Sequence, residues 1–471
     1  MARTRTAAIA TALACLALAG PAAAFSRQEV TIASTDGTPL AATLFLPDGA
    51  APAGGRPAVV FMHGLGGDRA GMNAVAQTMG VVGEQYAVLS FDARGHGASG
   101  GLIGIDGPKE IADVKAVFSW LAARPDVADT KIGAWGISLG GGAAWNSLAA
   151  GVPWGAVEVV ESWTSLQSAL LPQGLAKSGV IAGFLGALDT KRVDPTLFAV
   201  RDAAYSGNLA GVPTFAAARS SIQALQGLTT PVFMMQGRRD FAFGMGQALQ
   251  AFGALAGPKR LWLGLHGHAP STFPAADSGA MLAEGKQWFD RWLLGSANGI
   301  DLSRPVALAP ESWSGRPTRL DAPPRPVPQV IPLAGNATIG ASGKAQRTTR
   351  ALRKALEVFG APKVTVTVDP NATWTRLVAV LSARTPAGKE IVVGGGGVPL
   401  VAGRKRVTIY LTNQATFVPA GSKLTLTLGS SSLAQSPGNL LYLDLPLGAG
   451  AKIALGQATL SIPTLKDPVS G

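Results

Sequence analysis

The sequence predicts an α/β domain followed by a smaller all-β domain, and three observations predict it. From about residue 29 to 295, short apolar runs alternate with amphipathic stretches of helical period, the pattern of a largely parallel sheet covered on both faces. Prolines then gather between residues 304 and 328, ending in Pro323-Pro324-Arg325-Pro326-Val327-Pro328. Beyond them the apolar runs shorten, alternate residue by residue and are broken by glycine and asparagine, as in a β-sandwich or jelly roll. The 471 residues also exceed what one compact core usually holds, roughly 100–200 residues.

Within the first domain, residues 30–33 and 41–46 read as an opening antiparallel pair. Inner strands follow at 58–62, 87–91, 131–135, 157–160, 232–236 and 260–265, each a brief apolar run. Helices fit between them at 69–82, 109–122, 139–149, 245–255 and 281–294. The interval 163–228 is too long for a simple crossover and is expected to form a helical cap. The predicted organisation is a leader at 1–24, an α/β domain at 25–303, a linker at 304–328 and a β-sandwich domain at 329–471. In the last, residues 364–368, 377–381, 407–411 and 424–428 read as strands. The four glycines at 394–397 lack the Lys-Ser/Thr of a phosphate loop and read as a flexible hairpin turn.

Met1-Ala2-Arg3-Thr4-Arg5, an apolar run at 7–20 and Pro21-Ala22-Ala23-Ala24 predict a Sec-type export signal cleaved after Ala24, with a periplasmic or secreted product. The run is short for a membrane anchor, so no stable span is expected after cleavage. The single cysteine, Cys15, lies in the leader, which excludes disulfides from the mature chain. Losing Arg3 and Arg5 lowers the net charge from +12 to +10. The basic residues are scattered and no nucleic-acid motif accompanies them, so they read as a solvated face and no nucleic-acid partner is expected.

The chemistry-bearing motif is Gly136-Ile137-Ser138-Leu139-Gly140, placed between an apolar strand and a helix. Glycines on either side permit a tight strand-to-helix turn that holds the serine hydroxyl clear at a helix N-terminus. A serine hydroxyl is a weak nucleophile and needs a base. His268 is the leading candidate, in Leu265-His266-Gly267-His268-Ala269-Pro270, with His266 as its competitor. Asp240, closing Gly237-Arg238-Arg239-Asp240 after a strand, is placed to orient that base; an N-cap or an ion pair with a neighbouring arginine is the alternative, and Glu161 is the reserve acid. An oxyanion hole requires two backbone N–H donors, assigned to Leu139 and to Leu65 in His63-Gly64-Leu65-Gly66-Gly67. His63 is expected to shape its loop, and Asp92-Ala93-Arg94-Gly95-His96-Gly97-Ala98-Ser99-Gly100 to be structural. Although His266 and His268 form an H-x-H pair, the other two histidines have loops of their own, so no metal and no cofactor is expected.

The chain order serine, aspartate, histidine and the loops around it resemble the α/β-hydrolase superfamily. The 92–100 loop, with Glu110 and Asp113 before Trp120-Leu121, is similar to the X-Pro dipeptidyl-peptidase and cocaine-esterase family. That resemblance implies a helical cap, a C-terminal jelly roll and serine hydrolysis by Ser138, Asp240 and His268. Where the family commonly carries tyrosine after the nucleophile, this chain has Leu139. The expected substrate is a small ester or peptide, and residues 180–188 read either as an apolar entrance or as a packed helix. From a different class, the alternative is a polymer-binding protein that uses the β-domain on an idle hydrolase fold. Oligomeric state is left open.

Overall fold

The computed structural model describes residues 25–83, 85–268, 271, 274–432 and 441–468. The expected leader at 1–24, with Cys15, lies outside the described residues.

The chain opens with β1 (Phe25–Ala33) and β2 (Pro39–Pro47), paired antiparallel. Six further strands build one sheet: β3 (Arg56–Met62), β4 (Ala87–Phe91), β5 (Val127–Ile137), β6 (Ala156–Val160), β7 (Val232–Gly237) and β8 (Lys259–Gly264). Their order is β1-β2-β4-β3-β5-β6-β7-β8, with β2 antiparallel to β4 and parallel pairing from there on. Every residue of β3, β4 and β6 is buried, because helices cover both faces. Such strands therefore read as unbroken apolar runs rather than alternating ones.

The helices are α1 (Arg69–Met79), α2 (Pro108–Ala122), α3 (Leu139–Ala149), α4 (Leu166–Leu170), α5 (Ser178–Gly186), α6 (Pro195–Ser206), α7 (Val212–Ala217), α8 (Gly246–Ala254) and α9 (Ala275–Trp292). Asp68 caps α1 by accepting the Gly71 N–H at 2.9 Å, and Gly80 ends it in the left-handed region. Met79, Met281, Trp288 and Phe289 of α1 and α9 pack on one face of the sheet. Val117 and Phe118 of α2, Ala144 and Leu148 of α3, and Ala251 of α8 pack on the other. The interval 163–228 holds α4 to α7, whose apolar side chains gather above Ser138. Among the described residues no helix is long and apolar enough to cross a membrane.

The segment expected as a linker is in part structured. β9 (Val306–Leu308) adds parallel to β8 and β10 (Thr318–Leu320) antiparallel to β9, so the sheet has ten strands and runs past residue 303. Val306, Ala307 and Leu308 are fully buried. Three residues are too few to show a period, and the surrounding prolines mask them.

The C-terminal part comprises β11 (Val327–Leu333), β12 (Ala337–Gly340), β13 (Ala345–Thr348), β14 (Leu356–Gly360), β15 (Lys363–Pro370), β16 (Arg376–Arg384), β17 (Glu390–Pro399), β18 (Lys405–Tyr410), β19 (Gln414–Val418), β20 (Lys423–Gly429) and β21 (Lys452–Thr464). They form two antiparallel sheets. In one, β21 is the hub and pairs with β11, β12, β14 and β15; the other runs β13-β20-β16-β17. Val366 and Leu460 from the first sheet share a core with Leu381 and Leu426 from the second. The four glycines at 394–397 are not a hairpin turn but lie inside β17, paired with β16. A Cβ on Gly396 would sit 2.3 Å from the Tyr410 carbonyl oxygen and one on Gly397 2.5 Å from Leu175 of the cap segment. Close approach of other chain segments, not flexibility, explains the run.

Candidate active site

β5 ends at Ile137 and α3 begins at Leu139, so Ser138 alone makes the turn, at φ +54° and ψ −111°. That conformation is costly for a residue with a Cβ and persists only where its surroundings enforce it. A Cβ on Gly136 would lie 2.1 Å from the Gly140 carbonyl oxygen, and one on Gly140 2.1 Å from that of Met62. Glycine at both positions therefore lets β3, β5 and α3 converge under the serine, the steric content of the Gly-x-Ser-x-Gly spacing. The Ser138 N–H donates to the Val160 carbonyl at 2.9 Å, and the Ser162 hydroxyl donates to the Ser138 carbonyl at 2.8 Å.

Ser138 Oγ lies 2.8 Å from Nε2 of His268, whose Nδ1 lies 2.7 Å from Asp240 Oδ2. An ionised carboxylate only accepts, so Nδ1 carries the proton and Nε2 presents its lone pair to the hydroxyl. Asp240 follows β7, and its Oδ1 accepts the N–H groups of Ala242 at 2.8 Å and Phe243 at 3.1 Å. Asp240 is thus neither a helix cap nor the partner of an adjacent arginine: Arg238 pairs with Glu357 and Arg239 with Glu311. His266 is turned away from the serine, with Nδ1 3.4 Å from Asp277 Oδ2 and Nε2 3.8 Å from Glu161 Oε1. Of the two candidate histidines, the structure brings only His268 to Ser138.

Burial alone would depress the His268 pKa, but the charge and hydrogen bond of Asp240, with Glu161 adding to them, raise it to about 9. Burial would likewise raise Asp240, and the facing His268 holds it below the usual carboxylate range. Glu161, the reserve acid, sits at the end of β6 at φ +48° with Oε2 3.9 Å from His268 Nδ1. Burial raises it to about 7 against the pull of His266 and His268. Glu161, Asp240 and His268 offer atoms within 4.8 Å of one another, a spacing compatible with a cation. Both Asp240 oxygens and both His268 nitrogens are already engaged, an arrangement suited to relaying protons.

Leu139 opens α3, where a backbone N–H has no acceptor within the helix. Leu65 comes from the loop after β3, which a Cβ on Gly64 would bring to 3.4 Å from Ser138 Cβ. Both leucines line the same cavity as Ser138. His63 holds that loop by accepting the Ala93 N–H on Nε2 at 3.0 Å and donating from Nδ1 to the Gly64 carbonyl at 2.8 Å. Burial lowers its pKa, in keeping with the neutral ring these bonds require. His96 packs edge-on to His63 at 4.8 Å, and burial lowers it to about 4. Asp92 is buried and accepts the N–H groups of Arg69 at 2.7 Å and Ala98 at 2.8 Å. The 92–100 loop thus braces the site without reaching the serine.

The cap closes over this constellation. Phe184 of α5 and Phe243 lie 5.6 and 4.9 Å from the His268 ring. A cavity of about 910 Å³, its open mouth included, rises from Ser138. Ile181, Phe184 and Leu185 line it, so of the two readings of residues 180–188 the helix is one that faces the cavity. Sequence reasoning missed Lys177. Its buried ammonium donates to the carbonyls of Phe241 and Ala242, both at 2.9 Å, and so ties the cap to the Asp240 loop. Burial lowers it to about 8. A lone lysine among small residues carries no signal of this.

A sheet in this order with serine, aspartate and histidine at the carboxyl ends of its strands defines an α/β-hydrolase. Residues 36–270 match the model of the X-Pro dipeptidyl-peptidase (S15) family. The structure is similar to a CocE/NonD family hydrolase from Staphylococcus aureus, at TM-score 0.72 and 15% identity, covering 94% of each chain. It is equally similar to an α-amino acid ester hydrolase, at TM-score 0.72 and 15% identity, covering 98% of this chain and 100% of the other. A segment of 93 residues is 37% identical to the lysophosphatidylserine lipase ABHD12 of Xenopus tropicalis, spanning 19% of this chain and only 22% of that protein. The chain belongs to the S15-like α/β-hydrolases and is a hydrolase.

Proposed function

We propose that the chain is an exported serine hydrolase that cleaves ester or amide bonds through an acyl-enzyme on Ser138. The supporting observation is the hydrogen-bonded line from Ser138 Oγ through His268 to Asp240, at 2.8 and 2.7 Å. Ser138 Oγ attacks the substrate carbonyl carbon as His268 Nε2 takes its proton, and the N–H groups of Leu65 and Leu139 receive the oxyanion. The bond to the leaving oxygen or nitrogen breaks, and His268 returns the proton to it. A water deprotonated by His268 then attacks the acyl-serine, releasing the acid and restoring Ser138. Export rests on the leader at 1–24.

The family match favours a second reading, cleavage of Xaa-Pro peptides. Both are tested by offering the mature protein a short-chain p-nitrophenyl ester beside Ala-Pro-p-nitroanilide. Ester turnover is the expected result; release of nitroaniline assigns the peptidase reading, and turnover of neither removes both.

The base must be neutral to accept a proton, so kcat/KM is expected to rise with pH through the raised pKa of His268, about 9. Asp240, Glu161 and Lys177 all face that ring. Glu161→Gln removes a negative charge that favours the imidazolium. The rising limb of the pH–rate profile is therefore expected to move to lower pH, and an unmoved limb would show that Glu161 does not act on the base.

A further inference from the structure

Resting on the serine-hydrolase reading, we propose that the cavity above Ser138 is an acyl-chain site and that the substrates are esters of medium- and long-chain aliphatic acids. The cavity holds about 910 Å³ with its open mouth included, and of its 21 lining residues only Ser138, Gln167 and Arg201 carry polar or charged side chains. Leu65, Leu139 and Phe215 line it in one apolar cluster near the reacting hydroxyl, and Val200 of α6 lines it from a second cluster with Leu171 and Ala204. An acetyl or single amino-acyl group would cover only a small part of that lining.

The lining opposes the other substrate classes. Among the described residues no carboxylate contributes to it, so the ammonium of an α-amino acyl group or a peptide N-terminus would be buried without a counter-ion. Arg201, the one charged residue of the lining among the described residues, is paired with Asp202. Peptide N–H and C=O groups would meet almost entirely hydrocarbon, and leaving them unpaired is costly. A polymethylene chain has neither problem. Moreover, Leu170, Ile181, Phe184, Val200 and Phe215 are only half-buried around the cavity, leaving apolar surface that an acyl chain would cover. Transfer is from the alcohol oxygen to Ser138 Oγ and then to water, the alcohol leaving with the proton from His268.

The test is a series of p-nitrophenyl esters, from acetate and butyrate through octanoate to decanoate, with an alanine ester as the charged comparator. With the full chain, kcat/KM is expected to rise at least about ten-fold from butyrate to decanoate, and the alanine ester to be the poorest of the set. Val200→Trp, which adds bulk to the lining in the cluster apart from Leu139, is expected to lower the decanoate-to-butyrate ratio about ten-fold. Should that variant not fold, competitive inhibition of the unaltered protein by decanoate against butyrate gives the same ordering. Ser138-dependent hydrolysis with a flat or falling chain-length profile overturns the acyl-chain site and leaves the serine-hydrolase reading standing. No Ser138-dependent hydrolysis at any length overturns both.

Discussion

Ser138→Ala is expected to lower ester turnover about 10⁴-fold or more, since removing the nucleophile of such a triad costs nearly as much as removing all three members. The folded state should be little changed. The lost hydroxyl reaches His268 at 2.8 Å, while the backbone bonds of the turn, to Val160 and from Ser162, do not use it. A fluorophosphonate probe should label the parent protein and not the variant. Labelling of neither, with the fold intact by circular dichroism, would favour a polymer-binding protein on an idle scaffold. Retained turnover in folded Ser138→Ala would remove the nucleophile assignment.

Arg238→Ala is expected to be among the most destabilising single changes, costing about 3–5 kcal/mol because it strands a buried partner charge. The guanidinium is wholly buried between the two domains. It donates to the carbonyls of Ala415, at 3.0 Å, and Ala309, and to the carboxylate of Glu357 in β14 at 2.8 Å. Its own carbonyl accepts the Ala415 N–H at 2.7 Å. Thermal unfolding should report the loss as a drop in midpoint of about 3–5 °C, the unfolding entropy of so long a chain being large. An apolar pair, Arg238→Met with Glu357→Leu, should recover much of it, since both charges then leave the interior. If Arg238→Ala unfolds like the parent, the ion pair does not hold the domains together. Arg238 stands two residues before Asp240, so the same contacts brace the loop that orients the base.

What was legible in the sequence was whatever local sterics impose. Gly136 and Gly140 announce the turn because any side chain there would strike the neighbouring backbone. Asp240 was legible because a short polar turn after an apolar strand ends at the carboxyl edge of the sheet. His268 is preferred to His266, but, the two being two residues apart in one loop, nothing local excludes either. What separates them is Asp277, on a helix that forms later in the chain. β9 and β10 escaped notice because each is three residues long. The acyl cavity was illegible for another reason: its walls come from α4 to α7, and no periodicity within one helix states which faces of four helices will meet.

Glu357, which neutralises Arg238, lies in β14, whose Val358 pairs with Thr464 of β21. β21 also pairs with β11, β12 and β15, from Ile331 opposite Leu460 onward. Pairings between segments so far apart in sequence form late. A growing chain that has made Ser138, Asp240 and His268 still lacks the strand that pairs with β14, which carries the partner of Arg238. Because β21 is the last of the described strands, the sheet that carries Glu357 reaches its full pairing only once residues 452–464 have been made.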